Sequence, residues 1–413
     1  MCEQTQLRPR LRPVEPFPVQ NDGQTMILLR DPLGLTTGDI ALSPPAYLIA
    51  TLMDGSRQLH EIQTEFFRQA GQMLTAEQLA ELIQGLRRAR YLEGPEFEEH
   101  YQKVASAYRV GTERRTGDLR GLGLKEGESL DELLARMFPG TVQPEAKAAR
   151  IRGLIVPHID YARGWECYAR AYSRIRGLSG IKRFIILGTN HFGRSSAVVA
   201  TDKDFVTPRG SARVDRVFLS ELSRRCGTDL TEYEYDHVPE HSVEIQVFIL
   251  QALFGPESFA IVPFLCPDPC GLSGTRPVTG EGVDLQLFGE QLRDLLAEDS
   301  RPTLVIAAAD LSHVGRRFGD DRDLEPMFLH QVSERDQKAL IAVRENDPVK
   351  FRETIAADGN STRICSAGCI YTLLTALPNT EPILLRYDQA ALPEQDTCVT
   401  CAAFVLTERE ATS

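Results

Sequence analysis

The chain has 413 residues, of which 42% are hydrophobic and 25% charged, and a formal net charge of −12. This is the make-up of an ordinary globular protein with length for one large domain and a smaller one, and its acidic balance argues against a phosphate-binding surface over the whole molecule. Nucleic acid is therefore a poor candidate partner, and no run of 18 apolar residues exists to span a membrane.

The start, Met1-Cys-Glu-Gln-Thr-Gln, lacks the charged-then-apolar pattern of a signal peptide, so the expected location is the cytoplasm. Nine cysteines, an odd number scattered along such a chain, read as reduced thiols and not as a disulfide framework. Cys167 and Cys226 fit small buried hydrophobes. The pairs Cys266/Cys270, Cys365/Cys369 and Cys398/Cys401 are too far apart in the chain to make a recognised zinc ribbon.

In chain order, residues 1–21 are rich in Pro and Arg without periodicity and read as a loose arm. Thr25–Arg30 and Asp39–Ser43 suit two short antiparallel strands around a Pro- and Gly-bounded loop. Ser43-Pro-Pro45 starts a helix that Asp54-Gly55 ends, Leu59, Ile62, Phe66 and Phe67 mark a second, and the capping box Thr75-Ala-Glu-Gln78 starts a third. Residues 22–95 thus form a small winged-helix-like α+β module. It resembles the PqqD-like family in Leu52-Met-Asp-Gly-Ser-Arg-Gln-Leu-His-Glu-Ile62 and in Leu86-Arg-Arg-Ala-Arg-Tyr-Leu-Glu-Gly94. That resemblance implies a peptide-recognition module working with a radical enzyme; packing or dimerisation is the plainer use of such a domain. The Arg87-Arg88-Ala-Arg90 cluster is short and reads as a solvated helix end before it reads as a DNA contact. His60 has no companion ligand and reads as structural, and His100 reads as a surface residue.

Residues 96–145 carry many charges and few long apolar runs, and read as a connector with one or two solvated helices. From 146 to 408, apolar strand-like runs alternate with helical stretches, which predicts an α/β fold with a mainly parallel central sheet covered by helices. Three of these runs end at a histidine: Gly153-Leu-Ile-Val-Pro-His158, Arg183-Phe-Ile-Ile-Leu-Gly-Thr-Asn-His191 and Thr303-Leu-Val-Ile-Ala-Ala-Ala-Asp-Leu-Ser-His313. In open α/β sheets ligands collect beyond the carboxyl ends of strands, so the three imidazoles are candidates for one crevice. Neutral imidazole is the commonest side-chain ligand for iron, copper and zinc. His158 and His191 follow their strands directly, and Gly164 or Gly193 would let backbone approach a ligand; capping a strand is the alternative for each histidine. Asp310 is placed to orient or charge-balance His313. Around Asp236-His-Val-Pro-Glu-His241, His237 reads as a helix cap, whereas Glu240 and His241 divide between capping and contact with the site or a substrate.

Several segments then resemble, in order, the motifs of the Memo family, also called AmmeMemoRadiSam system protein B: Pro157-His158-Ile-Asp-Tyr161, Leu187-Gly-Thr-Asn-His191, Thr207-Pro-Arg-Gly210 with Asp215, Glu240-His-Ser-Val-Glu244, Ile261-Val-Pro263, Ala309-Asp-Leu-Ser-His-Val-Gly-Arg-Arg-Phe318 and Ile364-Cys365. The resemblance implies a fold like the class III extradiol dioxygenases of the LigB type. It also implies metal ligation by His158, His191 and Cys365, with His313 at the acid/base position. The chain departs from the family pattern at Asp160, where glycine is usual, and at Asn190, where a histidine is usual; with Tyr161 these are candidate neighbours of the site or substrate. Because a thiolate replaces the carboxylate of the oxygen-activating ferrous sites, catechol cleavage is not implied. Three functions follow as expectations: a non-haem iron or copper oxidoreductase acting with a radical-enzyme system, a zinc-type metallohydrolase, or a non-catalytic adaptor that binds a peptide or protein through the N-terminal module.

Overall fold

A computed structural model describes residues 7–21, 23–116, 128–138 and 150–409. The chain divides into two units, Met1–Val110 and Gly111–Ser413, each with its own apolar core.

In the first unit, β1 (Glu15–Asn21), β2 (Gln24–Arg30) and β3 (Ile40–Leu42) form an antiparallel sheet in that order. The stretch expected as a loose arm is thus ordered over much of its length, because Glu15 to Asn21 pair with Arg30 to Gln24. Pro16 and Pro18 concealed the strand. They are tolerable there because β1 lies at the sheet edge, and their spacing of two keeps both missing N–H groups on one side. Earlier still, Arg12 is buried against Asp31 through two 3.1 Å contacts, and Asp31 also takes the N–H groups of Leu33, Leu35 and Thr36. Helices α1 (Pro44–Thr51), α2 (Leu59–Ala70), α3 (Ala76–Arg88) and α4 (Pro95–Arg109) complete the unit. Ser43 caps α1, and the Thr75–Gln78 capping box starts α3. Ile49, Ile62, Phe66, Leu79, Ile83 and Leu86 form the core, while Phe67, one of the residues that marked the second helix, is half exposed.

The second unit opens with β4 (Glu113–Arg115), α5 (Leu130–Met137), β5 (Ile151–Val156), α6 (Tyr161–Tyr172), β6 (Arg183–Thr189) and β7 (Val199–Ala200). It continues with β8 (Asp204–Thr207), β9 (Gly210–Val214), α7 (Arg216–Cys226), α8 (Glu244–Phe254), β10 (Ala260–Cys266), α9 (Leu285–Glu298) and β11 (Thr303–Ala308). The chain then forms β12 (Asp310–Val314), α10 (Pro326–Arg344), α11 (Pro348–Ala356), α12 (Ala367–Ala376), β13 (Thr380–Leu392) and β14 (Thr397–Glu408). The proposed connector does not stand apart: α4 belongs to the first unit, and α5 buries Leu133, Leu134 and Met137 in the second core. The parts of that connector at 117–127 and 139–145 lie outside the described residues.

The strand order is β12-β14-β5-β11-β6-β10-β9-β8-β4, with β13 on β14 and β7 on β10. β5, β11, β6 and β10 run parallel, so their carboxyl ends share one edge of the sheet. All seven residues of β6 are buried, as expected for a strand covered by helices on both faces. The third histidine run departs from expectation. It is two strands, since the chain breaks at Ala309 and β12 pairs antiparallel with β14, with a register shift between Asp310 and His313. His313 therefore lies within β12 and does not terminate a parallel strand. Among the described residues, no helix is long and apolar enough to cross a membrane.

Candidate metal centre

His158 lies two residues beyond β5 and is 2% exposed. Its Nδ1 is 2.9 Å from the Ala308 carbonyl oxygen, which can only accept. The proton therefore sits on Nδ1, leaving the Nε2 lone pair free when the ring is neutral. Nε2 is 3.5 Å from Cys365 Sγ and 3.5 Å from Asp310 Oδ2. Asp310 also accepts the His158 backbone N–H at 3.0 Å.

His191 lies two residues beyond β6, and its Nδ1 is 3.1 and 3.0 Å from the two oxygens of Glu240. Its Nε2 is likewise left to ligate. Glu240 is 2% exposed and takes the backbone N–H groups of His191, His241 and Ser242 at 3.1, 2.9 and 2.9 Å. With its lone pairs occupied, this carboxylate orients the imidazole, as carboxylates commonly do behind metal-binding histidines.

Cys365 stands just before α12, with the Ser366 hydroxyl 3.2 Å from its sulfur. Ser366 also lies 2.9 Å from Thr189 Oγ1 and accepts the Asp310 N–H at 3.2 Å, so one hydroxyl ties together β6, β12 and α12. Gly368 lets α12 start this close to β10, since a Cβ there would meet the Pro267 carbonyl oxygen at 1.9 Å.

The ligand atoms of His158, His191 and Cys365 lie within 4.8 Å of one another, and so do those of His191, Glu240 and His241. The first set has free donors on all three members; the second depends on the already committed Glu240 carboxylate. Burial pushes the Cys365 thiol up, but the charges of His313 and His158 and hydrogen bonds from His158 and His191 hold it well below the usual thiol range. Burial pushes the His158 imidazole down, but Asp310 and Cys365 raise it to about 9. His191 is raised well above its usual value, with Glu240 and Cys365 outweighing burial. These shifts favour a thiolate beside the two imidazoles, a donor set that a metal ion can bind in place of protons.

Other expected neighbours have different contacts. Asp310 is engaged with His158, and the His313 ring instead has Nδ1 3.0 Å from the Leu311 carbonyl oxygen and Phe318 edge-on at 5.2 Å. Asp310 and His313 lie on either side of the register shift in β12. The His241 ring stacks on His191 at 5.5 Å and meets His158 edge-on at 5.6 Å. It does not cap α8, whose first turn has no side-chain cap. Asp160 caps α6, and Tyr161 is fully buried with its hydroxyl donating to the Ile245 carbonyl. Asn190 donates to Asp236 at 3.0 Å and accepts the Gly193 N–H at 3.0 Å. Gly193 serves that loop clamp, as a Cβ would lie 2.0 Å from Asn190 Oδ1, and Gly164 gives room to Ile159 and Tyr168. His237, read as a helix cap, is a buried residue of the 3-10 turn Glu234–His237, with Nε2 3.3 Å from the Val199 carbonyl.

Sequence reading missed Ser366, Thr189 and Arg114. Ser and Thr carry no spacing signal for such roles, although the position of Ser366 beside Cys365 was a hint. Asp336 was also missed: it is fully buried and accepts hydroxyls from Ser312, Thr400 and Tyr387 at 2.6, 2.6 and 2.8 Å, fixing the strand that carries His313.

The family model of the Memo-like protein matches residues 124–405. A MEMO1 family protein of Aquifex aeolicus is 27% identical over 397 residues, covering 94% of this chain and 98% of its own length. One from Thermus thermophilus is 28% identical over 325 residues, covering 79% and 91%. One from Methanopyrus kandleri is 30% identical over 242 residues, covering 57% and 75%.

Proposed function

The chain belongs to the Memo-like protein family, and on that premise we propose that its second unit binds a redox-active metal, iron or copper, through His158, His191 and Cys365. One observation carries the reading: three donor atoms lie within 4.8 Å of one another, while both imidazole Nδ1 atoms are engaged elsewhere, at Ala308 and Glu240. The donor set fits a soft or borderline ion, because one thiolate joins two imidazoles where oxygen-activating iron sites use a carboxylate.

When bound, such an ion supplies electron exchange with a small substrate or with dioxygen. The protein's own part is positional and protonic. Glu240 and the Ala308 carbonyl hold the two imidazoles in the ligating tautomer. His313, with Nδ1 turned to the Leu311 carbonyl, keeps Nε2 for taking or giving a proton beside Cys365.

The test is anaerobic purification with metal analysis of the wild type, His158→Ala and Cys365→Ala. Stoichiometric iron or copper that is lost from both variants supports the reading; unchanged metal content in both would sink it. Zinc as the sole tightly bound metal would shift the chemistry to hydrolysis by a zinc-activated water.

For the first unit we propose binding of a peptide or protein partner, a radical enzyme among them. β3 pairs only with β2 among the described residues, and beside it Ile40, Leu42, Leu82 and Leu86 line a groove of about 480 Å³. An extended peptide can add to such a free edge and seat alternate side chains in the groove. If the protein is only an adaptor, capture of that partner survives Cys365→Ala and no turnover depends on the metal.

A further inference from the structure

We infer that Arg114 is a positioning residue of the metal centre, fixing the loop that presents Glu240 to His191; the inference rests on the metal reading above. Arg114 lies on the three-residue strand β4, which pairs in parallel with β8. Its side chain is 3% exposed, and its guanidinium lies over the Phe205 ring at 4.7 Å.

All three guanidinium nitrogens reach one stretch of chain. Nε donates to the His237 carbonyl, Nη2 to the Glu240 carbonyl and Nη1 to the Glu244 carboxylate, each at 2.7 Å. Between the 3-10 turn ending at His237 and helix α8 starting at Glu244, the backbone is irregular. Buried carbonyls in such a loop need partners, and a planar fork can serve several in one fixed geometry. The line of contact is short: Arg114 holds the Glu240 backbone, and the Glu240 carboxylate holds His191 Nδ1 at 3.0 Å.

Arg114 lies before residue 124, where the family match begins, and four residues after Val110, the last residue of the first unit. The segment preceding the matched region is therefore part of the working site, although no family motif marks it.

The experiment is an anaerobic cobalt(II) titration of the full-length protein, following thiolate-to-cobalt absorption, with Arg114→Gln, Arg114→Lys and a control at another buried arginine. Arg183 is that control: it is 1% exposed and pairs with Asp215 and Asp299 at 2.9 and 2.6 Å, at the amino end of β6. Arg114→Gln is expected to weaken cobalt binding by about tenfold or more, the usual scale for removing support behind a ligand, with Arg114→Lys in between. Arg183→Gln is expected to resist urea less well and to bind cobalt as the wild type does. If Arg114→Gln does not fold, Arg114→Lys carries the comparison. Cobalt affinity unchanged at position 114, or reduced equally by Arg183→Gln, overturns the inference. Should the wild type bind no cobalt, or should His158→Ala and Cys365→Ala bind it normally, the metal reading fails and takes this one with it. Loss of cobalt in those two variants with none at position 114 defeats the positioning role alone.

Discussion

Glu240 accepts from three backbone N–H groups and one imidazole, so its contribution to the centre is orientation and charge. Glu240→Gln, which keeps the shape and loses the charge, is expected to weaken metal binding by about 10-fold to 100-fold while the thiolate-to-metal absorption persists. Loss of that absorption would instead mark Glu240 as necessary for Cys365 ligation. A second prediction concerns His237, which burial and the Arg114 charge push down from 6.5 to about 3. Its folded value lies below the unfolded one, so between these two pH values the unfolded chain binds the extra proton. The stabilisation is complete above about pH 6.5 and is lost as pH falls toward 3, with a limiting slope of about 1.4 kcal/mol per pH unit. Urea midpoints from pH 4 to 7 should fall less steeply in His237→Gln than in the wild type; equal slopes would contradict this. At this scale the sequence made His158, His191 and Cys365 legible through their motifs, whereas Arg114 and Ser366 act through contacts between distant segments that no local pattern records.

Among elements, those with a local signal were readable and those defined by their partners were not. The Thr75 capping box and the apolar run of β6 announce a helix start and a buried strand. β1 hides behind two prolines that only an edge position tolerates, and β12 continues an apolar run whose change of pairing depends on β14, far along the chain. The start of α12 matters most for the site, because Cys365 lies two residues before it and Gly368 sits in its first turn against Pro267. Gly368→Ala is expected to cost about 1–3 kcal/mol through overpacking and to lower metal content by displacing the helix start. Urea unfolding and metal analysis check both parts, and a variant as stable and as metal-rich as the wild type would refute the close-packing account.

At the scale of the molecule, two units each bury an apolar core, and the similarity to the Aquifex aeolicus relative extends over 94% of the chain. The alternation of apolar runs and helical stretches was enough to read the mainly parallel sheet, but the boundary between units was not, because α4 and α5 resemble solvated connectors until their buried faces are seen. Metal binding should stabilise the second unit, by about 2.7 kcal/mol when free metal is at 100 times its dissociation constant. Calorimetry with and without metal should show one transition rising in the wild type and neither moving in Cys365→Ala.

The most direct test of the ligand set is X-ray absorption at the edge of the metal bound in the full-length protein. A sulfur shell together with histidine back-scattering, the sulfur lost in Cys365→Ser and the histidine signal reduced in His191→Ala, is the predicted result. A metal surrounded by nitrogen and oxygen alone in the wild type would contradict it.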